Sequence, residues 1–259
     1  MNAFVDSPAA ALSALAEQHG ELDRMVRGLT DAGWRSASRC ESWSVADVLL
    51  HLSLTDRMAI GSLLGRFDDE LRVLVEGVER AGSVDDGAAL MVAHHRGRPG
   101  AEVHAAWRAG ADELRALLAD VDPHRRVQWV AGMLSSRTLA VTRLAECWIH
   151  TGDIAGGLGV ERVPGDRVGH IARLAWRTLP YAFEREGRTL VGPVAFELRA
   201  PSGAMWAFDP EGGAAATRVT GDALDLCMVA GRRVDPAATT LSGTGPDVDA
   251  VLALVRTYA

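Results

Sequence analysis

Glu146 and His150 stand four residues apart in the stretch Arg143-Leu144-Ala145-Glu146-Cys147-Trp148-Ile149-His150-Thr151-Gly152-Asp153. Read as a helix, this stretch puts Arg143, Glu146, His150 and Asp153 on one stripe, because steps of three and four residues return to the same face. Around the stripe the segment is apolar: Leu139, Val141, Leu144, Ala145, Trp148, Ile149 and Ile154. A carboxylate and an imidazole on adjacent turns can grip one metal ion at two points. A catalytic zinc-type centre needs a third protein ligand and keeps a fourth position open. His51, on an earlier helical segment, is the candidate for that third ligand. A ligating imidazole also needs its other nitrogen held by a carboxylate or carbonyl. Asp153 is placed to do this for His150, and Asp56 for His51. The same spacing equally describes an exposed Glu–His pair worth a few tenths of a kcal/mol, with His51 an ordinary half-buried histidine. An E-x-x-x-H pair arises easily by chance, and the local sequence does not specify its third ligand.

These side chains need helices to carry them. Leu12 to Leu29 has helical apolar spacing. Ser44 or Ser42 can cap a helix from about Val45 to Leu64, with Asp47 three residues after Ser44 as a variant capping box. Val45, Val48, Leu49, Leu52 and Met58 form its apolar side. Shorter helices are expected over Asp68–Ala81 and Gly100–Leu118, then a connector over Val121–Gly132. Ser135 or Ser136 caps the stripe helix, which ends near Gly156-Gly157, and another helix covers Val168 to about Phe183. After Gly187 the texture changes. Val191–Ala200 alternates as a half-buried strand does, and Met205–Phe208, Thr217–Thr220 and Thr239–Ser242 read as further strands. Helices are expected over Asp222–Ala230 and Asp247–Tyr258. The fold class is therefore α+β: a helical bundle over 1–187, then a small α+β domain over 188–259.

Composition narrows the function. The chain has 259 residues and a formal net charge of −7, which disfavours nucleic acid as a partner. All 27 basic residues are arginine, so Schiff-base and P-loop lysine chemistry is excluded. No apolar run approaches the roughly 20 residues of a membrane span, and Met1–Ala16 has no basic signal-peptide region. A cytoplasmic protein without membrane partners is expected. Cys40, Cys147 and Cys227 are widely spaced and odd in number, which argues against a disulfide framework or a thiolate zinc site. Cys147 points about 100° away from Glu146 round the helix and reads as core. His94-His95 with His104 reads as an exposed loop rather than a metal cluster.

Two stretches resemble the paired signatures of the mycothiol-dependent maleylpyruvate isomerase superfamily. They are Trp43-Ser44-Val45-Ala46-Asp47-Val48-Leu49-Leu50-His51-Leu52 and Arg143 to Asp153. The resemblance continues through Gln128-Trp129 and Met133-Leu134-Ser135 into the block Val219-Thr220-Gly221-Asp222-Ala223-Leu224-Asp225-Leu226-Cys227. It implies a DinB-like metal-binding four-helix bundle followed by a sterol-carrier-protein-like domain. It also implies that His51, Glu146 and His150 bind zinc, and it is closest to a branch whose reaction is unassigned. Arg232-Arg233 resembles a basic segment that in the isomerases faces the metal cleft, where Arg232 could clamp a substrate carboxylate; a surface pair is the competing reading.

The expected activity is that of a metalloenzyme, with a divalent metal (zinc) as cofactor and mycothiol as the thiol the resemblance implies. The thiol would add to, isomerise or open a small unsaturated or electrophilic substrate. Asp153 and Arg232 would be the catalytic residues beside the metal ligands. A water-using hydrolase or hydratase, a small-molecule binding protein with a structural metal, and a metal-responsive regulatory partner are the alternatives.

Overall fold

The structure, a computed structural model, describes residues 7–257; Tyr258 of the expected terminal helix lies outside them. Two compact units divide between Arg162 and Val163, earlier than the change of texture near residue 187. The first unit covers Leu12–Arg162. The second takes Val163 onward together with the first turn of the opening helix.

The first unit is built from four long helices: α1 (Pro8–Val26), α3 (Val45–Leu63), α6 (Gly100–Asp120) and α7 (Ser136–Leu158). Short helices α2 (Asp31–Arg35), α4 (Phe67–Leu74) and α5 (Val84–His95) fill the connections. Helix α3 starts where its sequence expects: the Ser44 side chain accepts from the Asp47 N–H and the Asp47 carboxylate accepts from the Ser44 N–H. It packs on α4, α6 and α7, and Val45, Val48, Leu49 and Leu52 disappear into the core. Helix α7 is capped by Ser135, whose hydroxyl accepts from the Thr138 N–H, and ends at Gly159 in the left-handed conformation. It is buried on most sides, with Leu139, Leu144, Ala145, Cys147, Trp148 and Ile154 in the core.

Three local readings are corrected. The connector is in part a hairpin, β1 (Arg126–Trp129) against β2 (Gly132–Ser135), closed over Val130-Ala131. Its turn relies on Gly132 at φ 103 rather than on an Asn-Gly or Asp-Gly pair. The segment bearing His94-His95 is helical, not a loop: Ser83 caps α5 by accepting from the Asp86 N–H. The helix expected over Val168–Phe183 breaks at Thr178 into α8 (Val168–Arg177) and α9 (Leu179–Arg185). Pro180 explains the break, since it has no N–H to donate and its ring would meet the Trp176 carbonyl of a continuous helix.

The second unit holds a mixed four-stranded sheet, ordered β4 (Met205–Phe208), β3 (Val194–Arg199), β5 (Thr217–Asp222), β6 (Ser242–Thr244). β3 and β5 run parallel and the other pairs antiparallel. Helices α8, α10 (Ala223–Ala230) and α11 (Val248–Leu254) join its core, where Phe196, Leu198, Trp206, Phe208, Val219 and Leu226 are buried. No helix among the described residues is long and apolar enough to cross a membrane.

One close approach positions the loop leading into α3. At Gly157 an added Cβ would lie 2.2 Å from the Ala37 carbonyl oxygen and 2.8 Å from the Ser38 Cα. Both are backbone atoms that cannot swing aside. Gly157→Ala is therefore expected to destabilise the protein by about 1–3 kcal/mol, as overpacked sites do. The measurement is the urea midpoint, with the slope unchanged; an unaltered midpoint would show that the loop is free to move off the helix.

Candidate metal centre

Helices α3 and α7 bring His51, Glu146 and His150 together. His51 Nε2 lies 3.5 Å from Glu146 Oε2, and His150 Nε2 lies 3.7 Å from the same oxygen. One ligand atom from each residue falls within 4.8 Å of the other two. The two imidazole rings meet edge to face, 4.9 Å between centroids. These separations are long for hydrogen bonds. They fit the edges of a tetrahedron around an ion about 2.0–2.2 Å from each ligand, which are roughly 3.3–3.5 Å. His51 and His150 are buried, while Glu146 is the open side of the cluster.

The protonation states suit ligation, which requires a neutral imidazole and an ionised carboxylate. Burial holds the His51 pKa below its ordinary value, against the opposing pull of Glu146. Burial pushes Glu146 up, but its interactions with His51 and His150, and then the positive charge of Arg143, outweigh this and bring it down to about 2. His51 also carries a sign of an unmet requirement: its Nδ1 is buried with no hydrogen-bond partner. Such a group costs about 1–3 kcal/mol and calls for an explanation in function.

The stripe on α7 behaves as one inward-facing polar row. Arg143, fully buried, donates from Nε to Asp56 Oδ1 at 2.9 Å and from Nη2 to Thr55 Oγ1 at 2.7 Å, and Thr55 in turn donates to the His51 carbonyl. Asp56 is therefore committed to Arg143 and does not orient His51 as expected. The Trp43 ring packs beside both imidazoles, its centroid 5.2 Å from that of His51 and 6.4 Å from that of His150. Asp153 does meet its expected partner: its Oδ2 lies 2.9 Å from His150 Nδ1. A carboxylate can only accept here, so Nδ1 carries a proton and Nε2 is the nitrogen turned toward Glu146.

The sequence reading missed Cys40. Its thiol donates to Asp153 Oδ2 at 3.0 Å and lies 3.7 Å from His150 Nδ1, and Cys40, His150 and Asp153 form a second cluster able to hold a metal ion. A separation of 110 residues leaves no spacing signal to find it by. Cys147 is core, as expected, with burial driving its thiol up to about 12. His95 Nε2 bonds the Leu74 carbonyl and His104 Nε2 pairs with Asp23, so these histidines serve separate contacts. Arg232 belongs to the second unit, where its Nη1 donates to the Ala253 carbonyl; it adopts φ 59 just after α10.

A helical unit with an inward His–Glu–His set able to hold a metal ion, followed by a mixed α+β unit, makes this a helical-bundle protein with a candidate metal centre. The model of the mycothiol maleylpyruvate isomerase N-terminal domain matches residues 15–155, and the chain belongs to that family. Two uncharacterized proteins of Mycobacterium tuberculosis, from strains CDC 1551 / Oshkosh and ATCC 25618 / H37Rv, are each 30% identical over 253 residues, 97% of this chain and 96% of theirs. The crystal structures of the mycothiol-dependent maleylpyruvate isomerase and of a histidine-to-alanine mutant share the fold. Each has a TM-score of 0.61 at 17% identity, over 94% of this chain and 96% of that one.

The buried imidazoles set an acid response. His19, whose Nδ1 accepts from Arg115 Nη1, is lowered to about 3 by burial and then by the charges of Arg115 and Arg143. His19 and His51 thus bind fewer protons folded than unfolded, so stability rises with pH over this range. Their contribution is complete above the ordinary value of 6.5 and declines below it, for His19 down to about 3. Glu146 acts in the same direction lower down, losing its contribution from 4.5 toward about 2. The Tm of the metal-free protein is expected to fall progressively below pH 6.5, with a shallower slope in His19→Gln. A Tm constant from pH 7 to 4 would contradict the assignment.

Proposed function

We propose that the chain is a metal-dependent enzyme whose cation is held by His51, Glu146 and His150. In this reading a small thiol such as mycothiol adds to, isomerises or opens a small unsaturated or electrophilic substrate. The observation that carries it is the buried convergence of two imidazole Nε2 atoms on one carboxylate oxygen, at 3.5 and 3.7 Å. The thiol and the reaction class are suggested by analogy of fold with the structural relative, a mycothiol-dependent maleylpyruvate isomerase.

A zinc-class cation bound there supplies a Lewis acid that lowers the pKa of a thiol or a water. The chain's own residues do the remaining work. Asp153 keeps the proton on His150 Nδ1 and so holds the ring with Nε2 toward Glu146. Arg143 braces α7 against α3 through Asp56 and Thr55, and its charge is one of several effects that lower the Glu146 pKa. Trp43 walls the two imidazoles with an apolar ring.

Metal analysis of protein purified without a histidine tag tests the site. About one cation per chain is expected, with affinity reduced at least about 100-fold in His51→Ala and in Glu146→Gln, beyond the 10–100-fold typical of groups that merely orient ligands. Stoichiometric metal in both variants would refute it. Turnover of a panel of electrophiles with and without thiol tests the chemistry. A rate indifferent to thiol would eliminate thiol transfer in favour of hydrolysis or hydration.

A further inference from the structure

The carboxylate that orients His150 is itself held. Asp153 Oδ2 faces two groups at once, His150 Nδ1 at 2.9 Å and the Cys40 thiol at 3.0 Å. The side chain of Asp153 is only 2% exposed, so no bulk solvent competes for that oxygen. The backbone ties the same two segments together, since the Arg39 N–H donates to the Asp153 carbonyl at 3.1 Å.

The loop that delivers Cys40 is built in detail. Ser38 Oγ accepts from the Cys40 N–H at 3.0 Å and donates to the Trp43 carbonyl at 2.9 Å, while the Trp43 N–H returns to the Cys40 carbonyl at 3.1 Å. Gly156 and Gly157 on α7 leave room for it, because a Cβ at either would strike Arg39 or the backbone of Ala37 and Ser38. Cys147 and Cys227 are buried in the cores, whereas Cys40 is half-buried beside the cluster.

We propose that Cys40 is a positioning residue of the metal centre, its thiol pinning the Asp153 carboxylate that presents His150 Nε2 toward Glu146. The inference rests on the reading of His150 as a ligand through Nε2. Groups that orient metal ligands are typically worth 10–100-fold in affinity. Cys40 stands one link further out, so about 3- to 10-fold is expected from it on the same scale.

The test compares the full-length protein with Cys40→Ala and Cys40→Ser. Affinity for Co²⁺ and Zn²⁺ is read by competition with a chelator. The tautomer of the His150 ring is read in the metal-free protein by two-bond ¹H–¹⁵N correlation, assigned with His150→Gln. Cys40→Ala should weaken both metals and reduce the Nδ1–H population. Cys40→Ser, which restores an O–H donor, should recover most of both, as a role in bulk packing would not. Methylthiolation of Cys40 in the folded wild-type protein removes the same donor without refolding and should reproduce the alanine variant until reductant reverses it. Wild-type tautomer and affinity in both Cys40→Ala and the methylthiolated protein would overturn the proposal. If the wild type holds no metal yet the His150 tautomer follows the Cys40 donor, the positioning role stands and the metalloenzyme reading fails. If metal depends on His51 and Glu146 but nothing depends on Cys40, the reverse holds.

Discussion

Everything in the first unit answers to the cost of placing ionisable groups inside an apolar bundle. Arg143 and Asp56 are almost fully removed from solvent, at 1% and 3% side-chain exposure, and neither could stay charged there alone. Their bond joins α7 to α3 one turn before Glu146 and one turn beyond His51, so it sets the distance between the helices that carry the cluster. Arg143 faces Asp56 and acts on Glu146, and Asp56 also feels the charge of Arg115.

The loop between α2 and α3 serves the same end by a different means. Its backbone lies against the C-terminal turns of α7 because two successive glycines leave no side chain in the way. From that contact it sets Trp43 against both imidazoles and Cys40 against Asp153. The capping box of α3 follows directly, so the aromatic wall and the helix that bears His51 start from one anchored point. Ser42 takes a left-handed φ of 63 within this loop, a conformation that a non-glycine residue adopts only where its surroundings hold it there.

The stripe Arg143–Glu146–His150–Asp153 was legible because helical periodicity is local: four polar positions at steps of three and four in an apolar segment can face only one way. The Ser44–Asp47 cap and the start of α3 were legible for the same reason. His51 could be chosen as the third ligand, but not its neighbour, since Asp56 looks equally able to orient His51 or to neutralise Arg143 until the helices are docked. Cys40 was invisible because its role depends on tertiary contact alone. The hairpin over 126–135 and the helix over 84–95 escaped because their signals are weak, a turn without its usual residue pair and a polar, glycine-bearing helix with little apolar periodicity. The compact units part at Val163, rather than where strands begin, because α8 packs on α10 and β4, a preference that sequence texture does not express.

The second unit argues about chemistry through what its sheet exposes. On one face the strands bury Phe196, Leu198, Trp206, Phe208 and Val219. On the other they carry paired charges: Arg199 grips Asp222 with two nitrogens at 2.6 and 2.9 Å, and Arg218 reaches Glu197 at 2.6 Å. Exposed cross-strand pairs of this kind contribute little to stability, but they make that face a solvated one with its charges matched. In the bundle, by contrast, Glu146 is the partly open member of a cluster whose two imidazoles are buried.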